Sequence, residues 1–306
     1  MNEANSAIQI TNLKKSYKDT EVLKGVDLTI QKGSVFCLLG SNGAGKTTIV
    51  KILSTLIKAD SGEAVLNGYD VKKDGDKVRS AISLTGQYAA VDGLLTAREN
   101  LRMIGRLFHI NNAAVKADSL LQQFHLEHAA DRPVSTFSGG MRRRLDIAMS
   151  LIGKPEIIFL DEPTTGLDPQ SRIEMWKVIR EMTATGVTVF LTTQYIEEAE
   201  QLADHIAVLH QGRIIAQGSV KELKAMLAGG IILLGFSNGE AYCGAQQKLA
   251  GYTYNVNEDA LSISVTTDGS VKELTALLAD LKGIEIAFLE QKQVSLEDVF
   301  LTLVTK

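Results

Sequence analysis

Cysteine is scarce in this chain: 306 residues carry two, Cys37 and Cys243, far apart in sequence. That excludes a disulfide-stapled scaffold and a cysteine-rich metal site, and leaves buried, reduced thiols of a cytosolic protein as the expectation. Positive charge is not in excess either. With 32 Lys and Arg against 36 Asp and Glu, the net charge is −4, which argues against nucleic acid as the main partner. The compact basic run Arg142-Arg143-Arg144 would point its side chains in different directions on a helix, and is expected to form a solvated or acid-paired face. No apolar run approaches the ~20 residues that span a bilayer. The opening residues lack a signal-peptide pattern. Internal repeats, heptad runs and low-complexity tracts are also missing. The expectation is a globular, cytoplasmic protein that forms no membrane path by itself.

What the chain does have is Gly40-Ser41-Asn42-Gly43-Ala44-Gly45-Lys46-Thr47, which fits the phosphate-cradling loop G-x-x-x-x-G-K-[ST]. The apolar run Val35-Phe36-Cys37-Leu38-Leu39 before it predicts a buried strand, and Thr48-Ile49-Val50-Lys51-Ile52-Leu53 after it predicts a helix. Strand, glycine loop and helix are the context the motif needs. Glycines let backbone N–H groups curl around an anion, and the helix N-terminus adds its positive dipole end. Lys46 then supplies a point charge to the β- and γ-phosphates, and Thr47 a hydroxyl to Mg²⁺.

Elsewhere the chain alternates. Ile8–Ile10, Val26–Ile30 and Val35–Leu39 predict strands, with Gln31-Lys32-Gly33 as a hairpin turn between the last two. Gly62–Leu66 and Ala81–Leu84 follow as strands, and Arg98 to Leu126 is helical in texture. Beyond Pro155 a βα rhythm returns: strands at Ile157–Leu160, Val187–Thr192 and Ile206–Leu209, helices at Ile173–Met182 and Ile196–Ala203. This pattern predicts an α/β fold, a mostly parallel sheet covered on both faces, with an inserted helical lobe at about 88–150. A second unit is expected from 219 to 306. Its β-α-β-β-α-β order suggests a small ferredoxin-like α+β domain, with helix starts at Ser270-Val-Lys-Glu273 and Ser295-Leu-Glu-Asp298.

Ile157-Ile158-Phe159-Leu160-Asp161-Glu162 is an apolar strand ending in two acids. Such acids sit beside the phosphate loop of a neighbouring strand, where open α/β sheets bind ligands. Asp161 is then expected to hold Mg²⁺, and Glu162 to polarise the attacking water. Between loop and acids, Phe137-Ser138-Gly139-Gly140-Met141 opens a helix, with a hydroxyl and free glycine N–H groups suited to an anion.

The order of phosphate loop, Gln87, Ser138-Gly139-Gly140, acidic strand and Thr165-Gly166-Leu167-Asp168-Pro169 resembles the motif series of ATP-binding-cassette (ABC) ATPases over residues 1–218. Phe137 stands where the family usually has leucine. The resemblance implies a P-loop ATPase with a RecA-like core, an antiparallel β subdomain and a helical subdomain, using ATP and Mg²⁺. It implies that Tyr17 stacks on adenine, and that the loop residues Gly40 to Thr47, with Thr48, bind the phosphates. Gln87 would touch metal and water and report to the transmembrane partner. It further implies a head-to-tail pair of cassettes, in which Ser138, Gly139 and Gly140 of one copy complete the γ-phosphate site over Lys46 of the other, with Asp168 in the loop that communicates across the dimer. The family's switch histidine is replaced by Gln194, a hydrogen-bond donor that cannot carry a positive charge at neutral pH. His205 and His210 lie at the wrong spacing to substitute and are expected to pack or face solvent.

Gln194, the string Met141-Arg-Arg-Arg-Leu-Asp-Ile-Ala and Ser295-Leu-Glu-Asp-Val-Phe300 are similar to the ATPase subunits of daunorubicin-type drug-resistance exporters. That likeness implies a homodimer, peripheral on the inner face of the membrane, that drives a separate permease. A soluble ABC ATPase acting on nucleic acid or ribosomes, a non-enzymatic ATP sensor and an importer subunit are the alternatives. A single phosphate loop, an acidic balance and intact Lys46, Asp161 and Glu162 weigh against the first two. The C-terminal unit is read as supporting the dimer, regulating the cycle, contacting the permease or serving as a structural appendage, and the resemblance favours the first two.

Overall fold

A computed structural model describes residues 5–86, 89–226, 230–292 and 295–304. The chain divides into two compact units, Met1–Ser219 and Val220–Lys306. The first opens with β1 (Ser6–Tyr17), β2 (Thr20–Gln31), β3 (Val35–Leu39) and α1 (Lys46–Leu53). Next come β4 (Ser61–Leu66), β5 (Tyr69–Asp70), α2 (Gly75–Ala81) and β6 (Ile82–Thr85). Three helices follow, α3 (Ala97–Leu107), α4 (Ala113–Gln123) and α5 (Gly139–Ser150). The unit then runs through β7 (Ile157–Asp161), α6 (Pro169–Ala184), β8 (Thr188–Thr193), α7 (Ile196–Leu202), β9 (His205–His210) and β10 (Arg213–Gly218).

Two sheets organise these elements. Six strands in the order β10-β9-β3-β8-β7-β6 form the main sheet, parallel except for the β9–β10 edge pair. Every residue of β3, β7 and β8 is buried, as expected of central parallel strands covered on both faces. Phe36, Phe190 and Phe159 stand side by side across β3, β8 and β7, with ring centroids 5.2 and 5.4 Å apart. The second sheet, β2-β1-β4-β5, is antiparallel, and the later part of β2 alternates, burying Val26, Leu28 and Ile30.

The turn expected at Gln31-Lys32-Gly33 is not a hairpin. β2 pairs with β1, whereas β3 joins the other sheet between β8 and β9. Gly33 N donates to Thr188 Oγ1 at 3.0 Å, so this turn carries the chain from one sheet to the next. An all-apolar strand needs cover on both faces, and the alternating β2 cannot share that environment. The helical stretch begins with a capping box, Thr96 with Glu99.

The second unit comprises α8 (Val220–Met226), β11 (Ile231–Phe236), α9 (Gly239–Lys248), β12 (Tyr254–Asn257), β13 (Ser262–Thr266), α10 (Val271–Asp280), β14 (Ile286–Lys292) and α11 (Leu296–Val304). Its sheet is antiparallel in the order β12-β13-β11-β14, the ferredoxin-like arrangement. Ile232, Leu234, Ile263 and Val265 from the sheet pack on Tyr242, Ala245 and Leu277 from the helices. Ser270 caps α10 by accepting from Glu273 N at 3.1 Å, and Ser295 accepts from Asp298 N at 3.1 Å to start α11. Among the described residues no helix is long and apolar enough to cross a membrane.

Candidate functional site

The loop 40–45 leaves β3 at the C-terminal edge of the main sheet and runs into α1. Gly40 N donates to Thr193 O at the end of β8, 3.2 Å away. Gly45 caps α1 at φ 112°, a left-handed conformation that L side chains rarely adopt, and a Cβ there would come 2.8 Å from Leu23 Cδ2. Ser41 and Asn42 are exposed, Ala44 is buried and Thr48 half-buried. Lys46, only 4% exposed, curls back over the loop: its Nζ donates to Gly40 O at 2.8 Å and to Ser41 O at 3.1 Å. The same ammonium lies 3.3 Å from Glu162 Oε1.

The acids reach this loop differently from the arrangement expected. β7 is not the neighbour of β3, because β8 lies between them. Asp161 bridges the gap. Its Oδ2 accepts from Thr47 Oγ1 at 3.0 Å and its Oδ1 from Thr192 Oγ1, on the intervening strand, at 2.5 Å. Glu162 turns out of the strand at φ 49°, the strained left-handed geometry often stored at functional sites. Its N–H is held by Thr192 O and Thr192 Oγ1, both at 3.1 Å, and its Oε2 accepts from Thr165 Oγ1 at 3.3 Å. The buried Lys46, Asp161 and Glu162 and the half-buried Thr47 thus form one cluster at the mouth of the loop.

Ser138 is the N-cap of α5, accepting from Met141 N at 3.2 Å. Gly140 lets α5 approach α6: a Cβ there would lie 2.7 Å from Ser171 Oγ. Asp168 caps α6, accepting from Ser171 N at 2.9 Å and Ser171 Oγ at 2.6 Å, and these bonds hold its carboxyl below the usual range. The hydrogen bonds described for Ser138 and Asp168 therefore go to their own helices and not to the phosphate loop. Gly139 opens α5 next to Leu167. Tyr17 ends β1, exposed, with Lys15 Nζ 5.6 Å from its ring centre. Gln194 sits half-buried in the bend between β8 and α7. Gln87 lies outside the described residues. His205 stacks on Phe36, centroids 6.2 Å apart. Of the two thiols expected to be buried, Cys37 is, inside β3, whereas Cys243 is exposed on α9.

The basic run is not a solvated face throughout. Arg142 donates to Ser135 O at 2.8 Å and Arg144 lies 3.5 Å from Glu174, but Arg143 is 5% exposed. Its guanidinium donates to Gly86 O, Asp161 O, Pro163 O and the carboxylate of Asp146. Burial pulls the Arg143 pKa down and pushes that of Asp146 up, each opposed by the other's charge. The signal in the sequence is the i,i+3 spacing of an arginine and an aspartate within an otherwise apolar helical turn, Leu145-Asp146-Ile147-Ala148-Met149. Another buried carboxyl, Glu198, accepts from Trp176 Nε1 at 3.3 Å, and burial raises its pKa.

A parallel α/β sheet with a glycine loop, a buried lysine and a hydroxyl–carboxylate pair at one edge defines the class of P-loop nucleotide-binding ATPases. The family profile for ABC transporters matches residues 23–165. A daunorubicin/doxorubicin resistance ATP-binding protein from Streptomyces peucetius is 43% identical over 304 residues, covering 97% of this chain and 92% of that protein. CbiO1 from Clostridium perfringens, part of the ABC transporter complex CbiONQ, superposes with a TM-score of 0.67 at 28% identity, covering 72% of this chain and 91% of that one. A cassette solved as a dimer in a post-hydrolysis state, bound to ADP and Pi, superposes with a TM-score of 0.62 at 26% identity, covering 69% of this chain and 98% of that one. The chain belongs to the ABC transporter family, as an ATP-binding cassette subunit with drug-resistance relatives, and it is an ATPase.

Proposed function

We propose that this protein is the ATP-hydrolysing subunit of an exporter, working as a head-to-tail homodimer on the inner face of a separate membrane permease, with drugs or amphiphiles as cargo. The observation that carries the reading is the cluster of Lys46, Thr47, Asp161 and Glu162 around the loop, with both acids and the lysine buried. A Cβ on Gly43 would meet nothing within 4 Å, so the loop has room for phosphates against its backbone. Tyr17 stacks on the adenine, and backbone groups from Gly40 to Thr48 hold the phosphates. The γ-phosphate draws Lys46 Nζ from its carbonyl partners, which frees Glu162 from its ion pair to take a proton from water. Thr47 Oγ1 and Asp161 offer hard oxygen donors of the kind Mg²⁺ takes, with Gln87 as a third candidate, and an ion held there would offset the negative charge of the phosphates. Gln194 donates a neutral hydrogen bond to the γ-phosphate.

The partner cassette supplies Ser138, Gly139 and Gly140, whose hydroxyl and helix N-terminus suit the γ-phosphate, and Asp168 lines the loop between the two sites. The exporter reading rests on the resistance relative, and the dimer on the dimeric neighbour. Residues 1–218 act as the nucleotide-binding domain, with 88–150 as its helical subdomain. Residues 219–306 support the dimer or regulate the cycle, and the exposed Phe288 and Leu289 of β14 favour association. Purification of the tagged, full-length chain from detergent-solubilised host membranes tests the proposal. The expected result is a co-purifying polytopic membrane protein and a copy number of two. Recovery as a soluble monomer with no membrane partner, at saturating ATP, would contradict it.

A further inference from the structure

Arg143 and Asp146 lie an i,i+3 step apart on α5, both buried, at 5% and 7% exposure, and 3.3 Å from each other. Their remaining bonds go to two other segments, and each segment is held on both sides of a polar residue. Arg143 Nη1 donates to Gly86 O, one residue before Gln87, and Asp146 Oδ1 accepts from Ala90 N, beyond it, at 3.0 Å. Arg143 Nη2 donates to Asp161 O at 3.3 Å and Arg143 Nε to Pro163 O at 3.1 Å, the carbonyls immediately before and after Glu162.

We propose that Arg143 and Asp146 are positioning residues, a buried latch through which the helix begun by Ser138 sets the reach of Glu162 and holds the main chain at Gly86 and Ala90. The inference rests on the reading above, in which Glu162 and Gln87 act at the γ-phosphate. A guanidinium is suited to the task because its planar fork offers five donors in fixed directions, enough for several separate acceptors at once. Stability alone does not account for the pair, since a buried ion pair can commonly be replaced by apolar residues of similar volume without loss. Geometry does account for it: two of the carbonyls on Arg143 belong to Asp161 and Pro163, the residues on either side of Glu162. When the N-terminus of α5 shifts as Ser138 engages nucleotide, the latch moves the main chain at Gly86, Asp161 and Pro163 with it.

The test uses the full-length chain and a variant that removes the latch without stranding a charge, Arg143→Met with Asp146→Leu. Turnover at saturating ATP should fall by ~10²-fold, the scale of an ångström-sized misplacement at a reacting centre. The dissociation constant for ATP should stay within about threefold and a cooperative thermal transition should persist, a split between turnover and binding that a merely structural role would not give. Arg143→Lys keeps the charge beside Asp146 but loses the fork, and should slow turnover by roughly tenfold. Wild-type turnover in the double variant overturns the latch. If the double variant lacks a thermal transition, Arg143→Lys decides: slowed turnover with preserved affinity supports the latch, and wild-type turnover overturns it. Glu162→Gln is the control. An active Glu162→Gln marks failure of the Glu162 assignment, whereas an active double variant beside an inactive Glu162→Gln marks failure of the latch.

Discussion

The cassette unit and the C-terminal unit both bury ordinary apolar cores, yet they differ in what else they bury. In the cassette, Lys46, Arg143, Asp146, Asp161, Glu162 and Glu198 are all less than a tenth exposed. In the C-terminal unit, the buried polar side chains among the described residues are Ser262, Thr267 and Tyr242, and no Asp, Glu, Lys, Arg or His is buried among them. Removing an ion from water costs several kcal/mol unless partners compensate, so buried charge persists where its geometry is used. The contrast assigns the chemistry to the first unit.

Lys46→Ala attacks the contrast where it is sharpest. The triphosphate loses the buried ammonium, and ATP affinity and turnover should fall together, turnover by ~10²–10³-fold; nucleotide titration of the purified variant checks this. Unchanged affinity with unchanged turnover would mean that the phosphates sit elsewhere. Gln194→Ala removes one neutral contact at the same site and should cost roughly tenfold to a hundredfold in turnover. Gln194→His should remain active, since imidazole offers a donor at similar reach. A wild-type rate in Gln194→Ala would make that side chain a spectator.

Truncation after residue 219 probes the other half of the comparison. The remaining cassette should fold and hydrolyse ATP, but dimerise less well at low concentration and recover at high concentration. An insoluble product would show that the two units depend on one another for folding. The smallest effect is on stability. Burial holds the Glu198 carboxyl above its usual range, so the folded state keeps this proton to higher pH than the unfolded chain does. The stability it contributes is complete below the ordinary carboxylate range and is lost as pH rises through the raised value. Glu198→Gln carries no such group. Its melting temperature should therefore gain on the wild type as pH rises above the ordinary carboxylate range, and parallel pH profiles would remove Glu198 as the source.

Features set by local chemistry were legible in the sequence. The loop Gly40–Thr47 and the caps at Ser270 and Ser295 depend on residues within a few positions of one another, and the structure places loop and caps where the pattern put them. Non-local choices were not legible. Nothing near Gln31-Lys32-Gly33 says that β3 will abandon β2 for β8 and β9, because that choice is made by burial on both faces of a distant sheet. The insertion of β8 between β3 and β7 is likewise a matter of topology, and it is why Thr192, a residue no motif singles out, bonds both Asp161 and Glu162. Arg143 escaped because three consecutive arginines look alike until the helix is packed and one of them faces inward.

The central claim is that the cassette's cluster of Lys46, Thr47, Asp161 and Glu162 hydrolyses ATP with Glu162 as the proton acceptor. Paired measurement of ATP binding and steady-state turnover in Glu162→Gln tests it most directly, because the amide keeps the shape and loses the basicity. The account predicts wild-type affinity for ATP, turnover lower by ~10²–10⁴-fold, and an ATP-bound dimer that accumulates on size exclusion. Turnover within a few-fold of wild type would contradict it.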